Sequence, residues 1–413
     1  MKKRFLDVHP DVLRLGLVSF LTDVSSEAIF SVFSIFFTVV VGASAGILGM
    51  IEGVSDFCAS SLDYLSGWLS DRSGKRKRLT LAGYGFSTLS KVMLLIGSSV
   101  ALLASFRIIE RLGKSFRGPP RDAWLADVAE ERNRGYAFGV HKAMDKSGAV
   151  VGPLIAYFLL ARFGTSTGTF RTIFIFAIIA AALSVLVLSL TKDRPGIPHE
   201  REDIGKAWGA LGEKFKTYLI PASIFSLAYF SFGFLLLKAY DIGFTIKDVV
   251  LLYALFNISF VLVSAPVGKL GDVIGRKYII MIGYLAYISM SLGFVFASEK
   301  WQVIVLFLLF GIFYSIDEAQ SKAFISDMEK DRRATAIGMY NFVTGLMYLP
   351  ASVIAGALWV FDPAYAFAFA ALTASAALAV FMWFFMGTGS SPQKEQSEIN
   401  LEKFIHCALK STQ

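Results

Sequence analysis

Long apolar runs, each closed by a short polar break, recur along the whole chain. A stretch such as "TIFIFAIIAAALSVLVLSL" holds enough apolar residues in succession to cross roughly 30 Å of hydrocarbon as an α-helix. Backbone polar groups find no partner in lipid, so a run of this length is read as a helix with its hydrogen bonds closed internally. About twelve such runs are predicted, at 12–40, 44–69, 79–98, 100–127, 135–161, 170–190, 218–240, 246–270, 278–298, 301–327, 334–360 and 363–387.

The composition agrees with this pattern. Of 413 residues, 55% are hydrophobic and 17% charged, with 38 Phe, more apolar than a water-facing domain needs. The breaks differ in charge by alternation. One set holds "DRSGKRKR", "EERNR", "TKDRPGIPHEREDIGKAWGALGEKFK", "GRK" and "EKDRR"; the other holds "GAS", "GSS", "ARFGTSTGTFR", "DIGFTIKD", "ASEK" and "FDPA". Basic loops stay inside, so the first set and both termini are expected in the cytoplasm, with the N-terminal "MKKRFLDVHPDVLR" as an uncleaved inner tail. The net charge of +8 then belongs to the inner face, with membrane lipids as its partners and no nucleic acid. Two cysteines, Cys58 and Cys407, are too few for a disulfide framework or a thiolate metal site.

The chain also repeats itself. "GWLSDRSGKRK" at 67–77 returns as "GKLGDVIGRKY" at 268–278, and "ADVAEERNRGYAFG" at 126–139 returns as "SDMEKDRRATAIG" at 326–338, an offset of about 200 in each case. An even number of spans per copy gives a parallel repeat, with a pseudo-twofold axis along the membrane normal and a binding site between the halves. The predicted fold class is an all-α integral membrane protein of two six-helix bundles. Its expected divisions are an N-terminal bundle (1–190), a linker (191–217), a C-terminal bundle (218–387) and a cytoplasmic tail (388–413). Ile204, Trp208, Leu211 and Phe215 recur at helical spacing, which predicts an amphipathic linker helix on the inner membrane surface.

In "GWLSDRSGKRK", Gly67 lets two helices approach and Gly74 permits a tight reversal, while a carboxylate at Asp71 can meet the positive end of a neighbouring helix. The stretch resembles the loop signature between the second and third helices of the major facilitator superfamily. Similar to other patterns of that family are Arg107 and Gly113 in "RIIERLG", and Gly148, Gly152 and Pro153 in "GAVVGP", a helix-bend motif of the fifth span. Glu110 and Arg111 stand where the family usually has Gln and Gly, and "LIAY" follows Pro153 where antiporters commonly place a Gly-Gly pair. The resemblance implies the family's two-bundle fold and a cytoplasmic gate of Gly67, Asp71, Arg72, Gly74 and Asp127, mirrored by Gly268, Asp272, Gly275 and Arg276.

Candidate chemistry concentrates in the first half. In "RLGKSFRGPPRDAW" and the turn before it, Arg107, Glu110, Arg111, Lys114, Arg117, Arg121 and Asp122 fall within roughly 140° of helical arc. A charge at a helix centre costs about 2.5–3.5 kcal/mol in lipid, so this stripe is expected to face a wet cavity or partner charges. His141 and Asp145 sit one turn apart on the fifth span, as do Asp23 and Glu27 on the first; Glu52 and Asp56 lie on the second. The expected solute-binding set is Arg107, Arg111, Arg117, His141, Asp145 and Asp317, with Asp23, Glu27 or Glu110 carrying a proton. The competing assignment makes these groups interhelical salt bridges that fix packing. In the second half, Glu318 and Lys322 are spaced to pair within one helix, and Tyr229, Phe230 and Tyr253 read as packing.

These residues predict a monomeric secondary active transporter in the cytoplasmic membrane. It moves a small polar, anionic or zwitterionic organic solute of the metabolite or siderophore class by alternating access, coupled to protons. A drug/proton antiporter exporting amphiphilic compounds is the alternative within carriers, and a membrane-embedded enzyme or a channel lies outside them. No H-E-x-x-H, G-x-S-x-G or phosphate-loop pattern occurs, so no catalytic residue, metal or cofactor is expected and an ATP-driven pump is disfavoured.

Overall fold

The computed structural model describes residues 8–129, 134–193, 204–330 and 332–386; the tail expected at 388–413 and part of the linker lie outside them. The first half comprises α1 (Pro10–Ile35, continued by a π-turn over Phe36–Val40), α2 (Ala45–Ser73), α3 (Arg76–Ile96), α4 (Val100–Val128), α5 (Arg134–Phe163) and α6 (Thr167–Leu190). After the short α7 (Ile204–Ala210), the second half comprises α8 (Glu213–Ala228), α9 (Gly233–Asp241), α10 (Ile246–Ile274), α11 (Arg276–Phe296), α12 (Lys300–Met328), α13 (Arg333–Phe361) and α14 (Pro363–Met386). Among the described residues ten segments are long and apolar enough to cross a membrane. The two remaining long helices, α2 and α4, carry many of the charges that line the interior. Each has 29 residues, which rise roughly 43 Å and suffice to cross.

Packing follows the repeat. In the first half α1 packs on α5, α2 on α4, and α3 on α4 and α6; in the second, α8 packs on α13, α10 on α12, and α11 on α12 and α14. The halves meet along two seams, α2 against α13 and α5 against α10, which exchange under the repeat. The reversal after α2 is closed by Gly74 at φ +64°, whose N–H donates to the Ser70 carbonyl at 2.9 Å. The matching reversal after α10 holds Gly275 at φ +103°. The end of the molecule bearing these two loops is termed the signature end.

At the opposite end the α2–α13 seam is tight because it is built on residues without side chains. A Cβ on Gly49 would collide with the Ser352 carbonyl, and one on Gly53 would sit 2.9 Å from the Leu349 oxygen. The apolar core runs through both halves, with Phe33, Phe106, Phe234 and Phe307 fully buried within it.

Two expectations change here. The seventh span is not one helix: it unwinds over residues 229–232 between α8 and α9. Gly233 approaches Ser34 of α1 too closely for a Cβ, and its N–H donates to Ser231 Oγ at 3.2 Å, so the break is held from both sides. Unwound backbone at membrane depth is tolerated where it borders a cavity, and residues 229–233 do so. The linker also departs from an amphipathic helix. Gly212 separates α7 from α8, Trp208 is exposed, and Leu211 and Phe215 are buried in the core.

Candidate functional site

A cavity of about 620 Å³ lies between the halves. Its deep end is bounded by Phe33, Phe230 and Leu236, and it reaches exposed Asp122, Lys142 and Lys322 toward the signature end. Two glycine contacts set the first-half wall. Gly83 of α3 and Gly113 of α4 pack so closely that a Cβ on either would lie 2.8 Å from the other's carbonyl, which seats α4 with its charged stripe inward. Gly148 and Gly152 of α5 press on the α1 backbone around Phe20, Val24 and Ala28, and thereby hold Asp23 at the cavity. The "GAVVGP" motif is thus a packing face, and α5 continues as a helix through Pro153.

The wall carries nine carboxylates and eight cations, most of them matched. Arg107 forms a two-point contact with Glu52, Nε to Oε1 at 2.7 Å and Nη2 to Oε2 at 2.6 Å, and its guanidinium lies 4.2 Å from the Phe30 ring centroid. Arg111 donates to Asp56. Arg121 pairs with Asp122 at 2.9 Å and lies 4.0 Å from Asp145. Lys142 reaches across the cavity mouth to Glu318 of α12 at 3.0 Å, with Lys146 at 4.0 Å from the same carboxylate. Glu318 is therefore joined to the other half, where the helical spacing had paired it with Lys322. Deeper in, Tyr253 of α10 donates to Glu27 of α1, a second link between halves.

What is left unpaired is informative. Among the described residues, Lys114, Arg117 and Lys322 make no ion pair, and neither do Asp23, Asp63 and Asp317. Arg117 is 3% exposed, stacks 4.6 Å from the Tyr84 ring centroid and has a buried Nη1 without a hydrogen-bond partner.

Of the expected solute-binding set, Arg107, Arg111, Arg117, Asp145 and Asp317 line the cavity, as do Asp23 and Glu27. His141 does not. Its Nε2 contacts Ser19 Oγ at 3.0 Å inside the α1–α5 packing, instead of meeting Asp145. Glu110 also sits behind the wall. It is fully buried, 3.7 Å from Arg107, with Ser26 Oγ at 3.4 Å and Ser87 Oγ at 3.5 Å.

Lys91 had drawn no attention in the sequence, yet it completes this buried network. It is fully buried on α3 and donates to Ser25 Oγ at 2.7 Å and Ser26 Oγ at 3.1 Å. A solitary lysine within an apolar span was the available signal, since a charge at membrane depth is costly unless it meets a partner or a wet cavity.

The loop signature resolves into two equivalent clusters. Arg76 bridges Asp71 at 2.7 Å and Asp127 at 3.2 Å, tying α2 to α4; Arg276 bridges Asp272 at 3.0 Å and Asp327 at 2.6 Å, tying α10 to α12. Arg72, expected in this cluster, is exposed and lies over Trp68, because the helix turns it away from α4. Gly67 is buried, whereas a Cβ on its counterpart Gly268 would meet nothing within 4 Å.

The second-half wall is aromatic. Tyr229, Phe232, Tyr253, Phe256, Phe310, Tyr314, Tyr340 and Tyr348 border the cavity, with Asn257 and Asn341 among them. Tyr229, Phe230 and Tyr253, read from sequence as packing, all border it.

The Major Facilitator Superfamily profile matches residues 15–245 and 222–409. An uncharacterized MFS-type transporter of Methanocaldococcus jannaschii is 33% identical over 375 residues, covering 89% of this chain and 93% of the relative. Multidrug resistance protein 1 of Bacillus subtilis is 26% identical over 335 residues, covering 76% and 81%. Among solved structures, the nucleoside transporter NupG superposes with a TM-score of 0.72 at 13% identity, covering 93% and 100% of the two chains. A bacterial homologue of the human lysosomal transporter Spinster superposes at 0.69 with 15% identity, covering 92% and 98%. With two helical halves, a paired loop signature and a cavity between them, the chain belongs to the Major Facilitator Superfamily of transporters.

Proposed function

We propose that this protein is a proton-coupled secondary transporter of a small anionic or zwitterionic organic solute. It works by alternating access across the cytoplasmic membrane, with the signature end inside. The observation that carries the reading is the cavity between two equivalent halves, lined by acidic and basic side chains, of which Arg117 and Lys114 make no ion pair. A guanidinium with an unused N–H in a low-dielectric pocket favours a carboxylate or phosphate oxygen over any neutral group. Asp23 and Glu27 line the same space and are positioned to exchange a proton with it; Glu110 stands behind the wall and drops out of that role. Glu27 is also bonded to Tyr253 of the other half, so a change in its protonation alters a contact between the halves.

Reconstituted protein should take up an anionic or zwitterionic solute saturably when a pH gradient is imposed. Asp23→Asn and Glu27→Gln should lose that drive while retaining equilibrium exchange; a rate with an unaltered pH profile in both variants removes the proton assignment.

Export of amphiphilic compounds is the second reading. It draws on the aromatic wall and on the likeness to a multidrug resistance protein. Competition by lipophilic cations in the same uptake assay would favour it.

A further inference from the structure

On the transporter reading above, the contrast between the two cavity walls narrows the solute class. The charged side chains that line the cavity nearly cancel, so a solute with a net charge would bring in a charge the walls do not balance. A zwitterion brings none. Its carboxylate has the unpaired cations Lys114 and Arg117, on adjacent turns of α4; its ammonium has the unpaired carboxylate of Asp23 on α1.

The facing wall carries charge at three positions of α12, Asp317, Glu318 and Lys322, and elsewhere its rings form a continuous surface. Phe232 lies 5.0 Å from Tyr253 and 4.8 Å from Phe256, which in turn lies 5.3 Å from Phe310 and 5.6 Å from Tyr314. Phe232, Tyr253 and Tyr314 remain only half-buried, because one side of this surface borders the cavity instead of other side chains. We infer that the solute is an aromatic zwitterion, bound with its carboxylate and ammonium on the α1–α4 wall and its planar ring on the α10–α12 wall. A cavity of about 620 Å³ has room for such a molecule together with some water.

The test compares four probes on the full-length, detergent-purified protein by calorimetry and thermal shift. L-tryptophan has all three features, indole-3-propionate lacks the ammonium, tryptamine lacks the carboxylate, and L-glutamine lacks the ring. L-tryptophan should bind at least tenfold more tightly than each of the others. Tyr314→Leu should weaken it about fivefold while leaving L-glutamine unchanged, and Tyr314→Phe, which keeps the ring, should restore it. Four results overturn the inference: L-glutamine binding as tightly as L-tryptophan, tryptamine binding best, equal loss for both zwitterions in Tyr314→Leu, or no binding by any probe. Saturable L-glutamine uptake by proteoliposomes without preference for a ring would sink the aromatic assignment and leave the transporter reading standing. Binding without uptake of any probe would sink the transporter reading itself.

Discussion

Arg107, Arg111 and Arg117 share one face of α4, yet they are not equivalent. Arg107 and Arg111 are matched by Glu52 and Asp56 of α2, whereas Arg117 has an aromatic ring beneath it and no carboxylate. Arg117→Gln is expected to abolish binding of an anionic group without lowering the unfolding temperature. Arg107→Ala strands the buried Glu52 carboxylate and should destabilise by about 3–5 kcal/mol; Arg107→Met combined with Glu52→Gln should recover most of that loss. Thermal unfolding of the purified variants distinguishes the two classes. The stripe was legible because helical geometry alone puts those residues on one face. Their partners were not legible, because Glu52 and Arg107 are 55 positions apart and nothing local specifies that α2 lies beside α4.

At the level of elements, the halves are held together by different chemistry at the two ends of the molecule. The end away from the signature loops is held by close backbone contact between α2 and α13 at Gly49 and Gly53, while the cavity mouth is crossed by Lys142 and Lys146 reaching Glu318. Gly49→Val should part the first contact. In a background with both cysteines replaced by Ser, it should increase labelling of Ser231→Cys by an impermeant maleimide applied from that side; unchanged labelling would place the closure elsewhere. Glu318→Gln should act in the opposite sense, loosening the mouth and raising the same labelling from the signature side. Helix positions were readable from apolar length, but the break in the seventh span was not. "AYFSFGF" is apolar enough to continue a helix, and the unwound segment is seen only in the fold, where Gly233 approaches Ser34 of the other half.

Across the whole molecule the internal repeat is a relation between side chains as well as between helices. Arg76 with Asp71 and Asp127 corresponds to Arg276 with Asp272 and Asp327, and the seams α2–α13 and α5–α10 exchange in the same way. The two clusters differ in burial: the Arg76 side chain is 6% exposed and the Arg276 side chain 26%. Arg76→Ala should therefore cost several kcal/mol, and Arg276→Ala about 1 kcal/mol or less, as measured by thermal unfolding of the two variants side by side.

The amino-acid order alone determined the solvent of the fold, the number of crossings, the duplication and the charged face of α4. Each of these follows from apolar length, helical period or recurrence along one chain. Tertiary structure alone decided which charges neutralise one another, that Lys91 and Glu110 lie behind the wall, and that tyrosines of the second half face the same space as Arg117. Those outcomes depend on side chains brought together by helices distant in sequence, whose mutual placement is set by packing across the two seams.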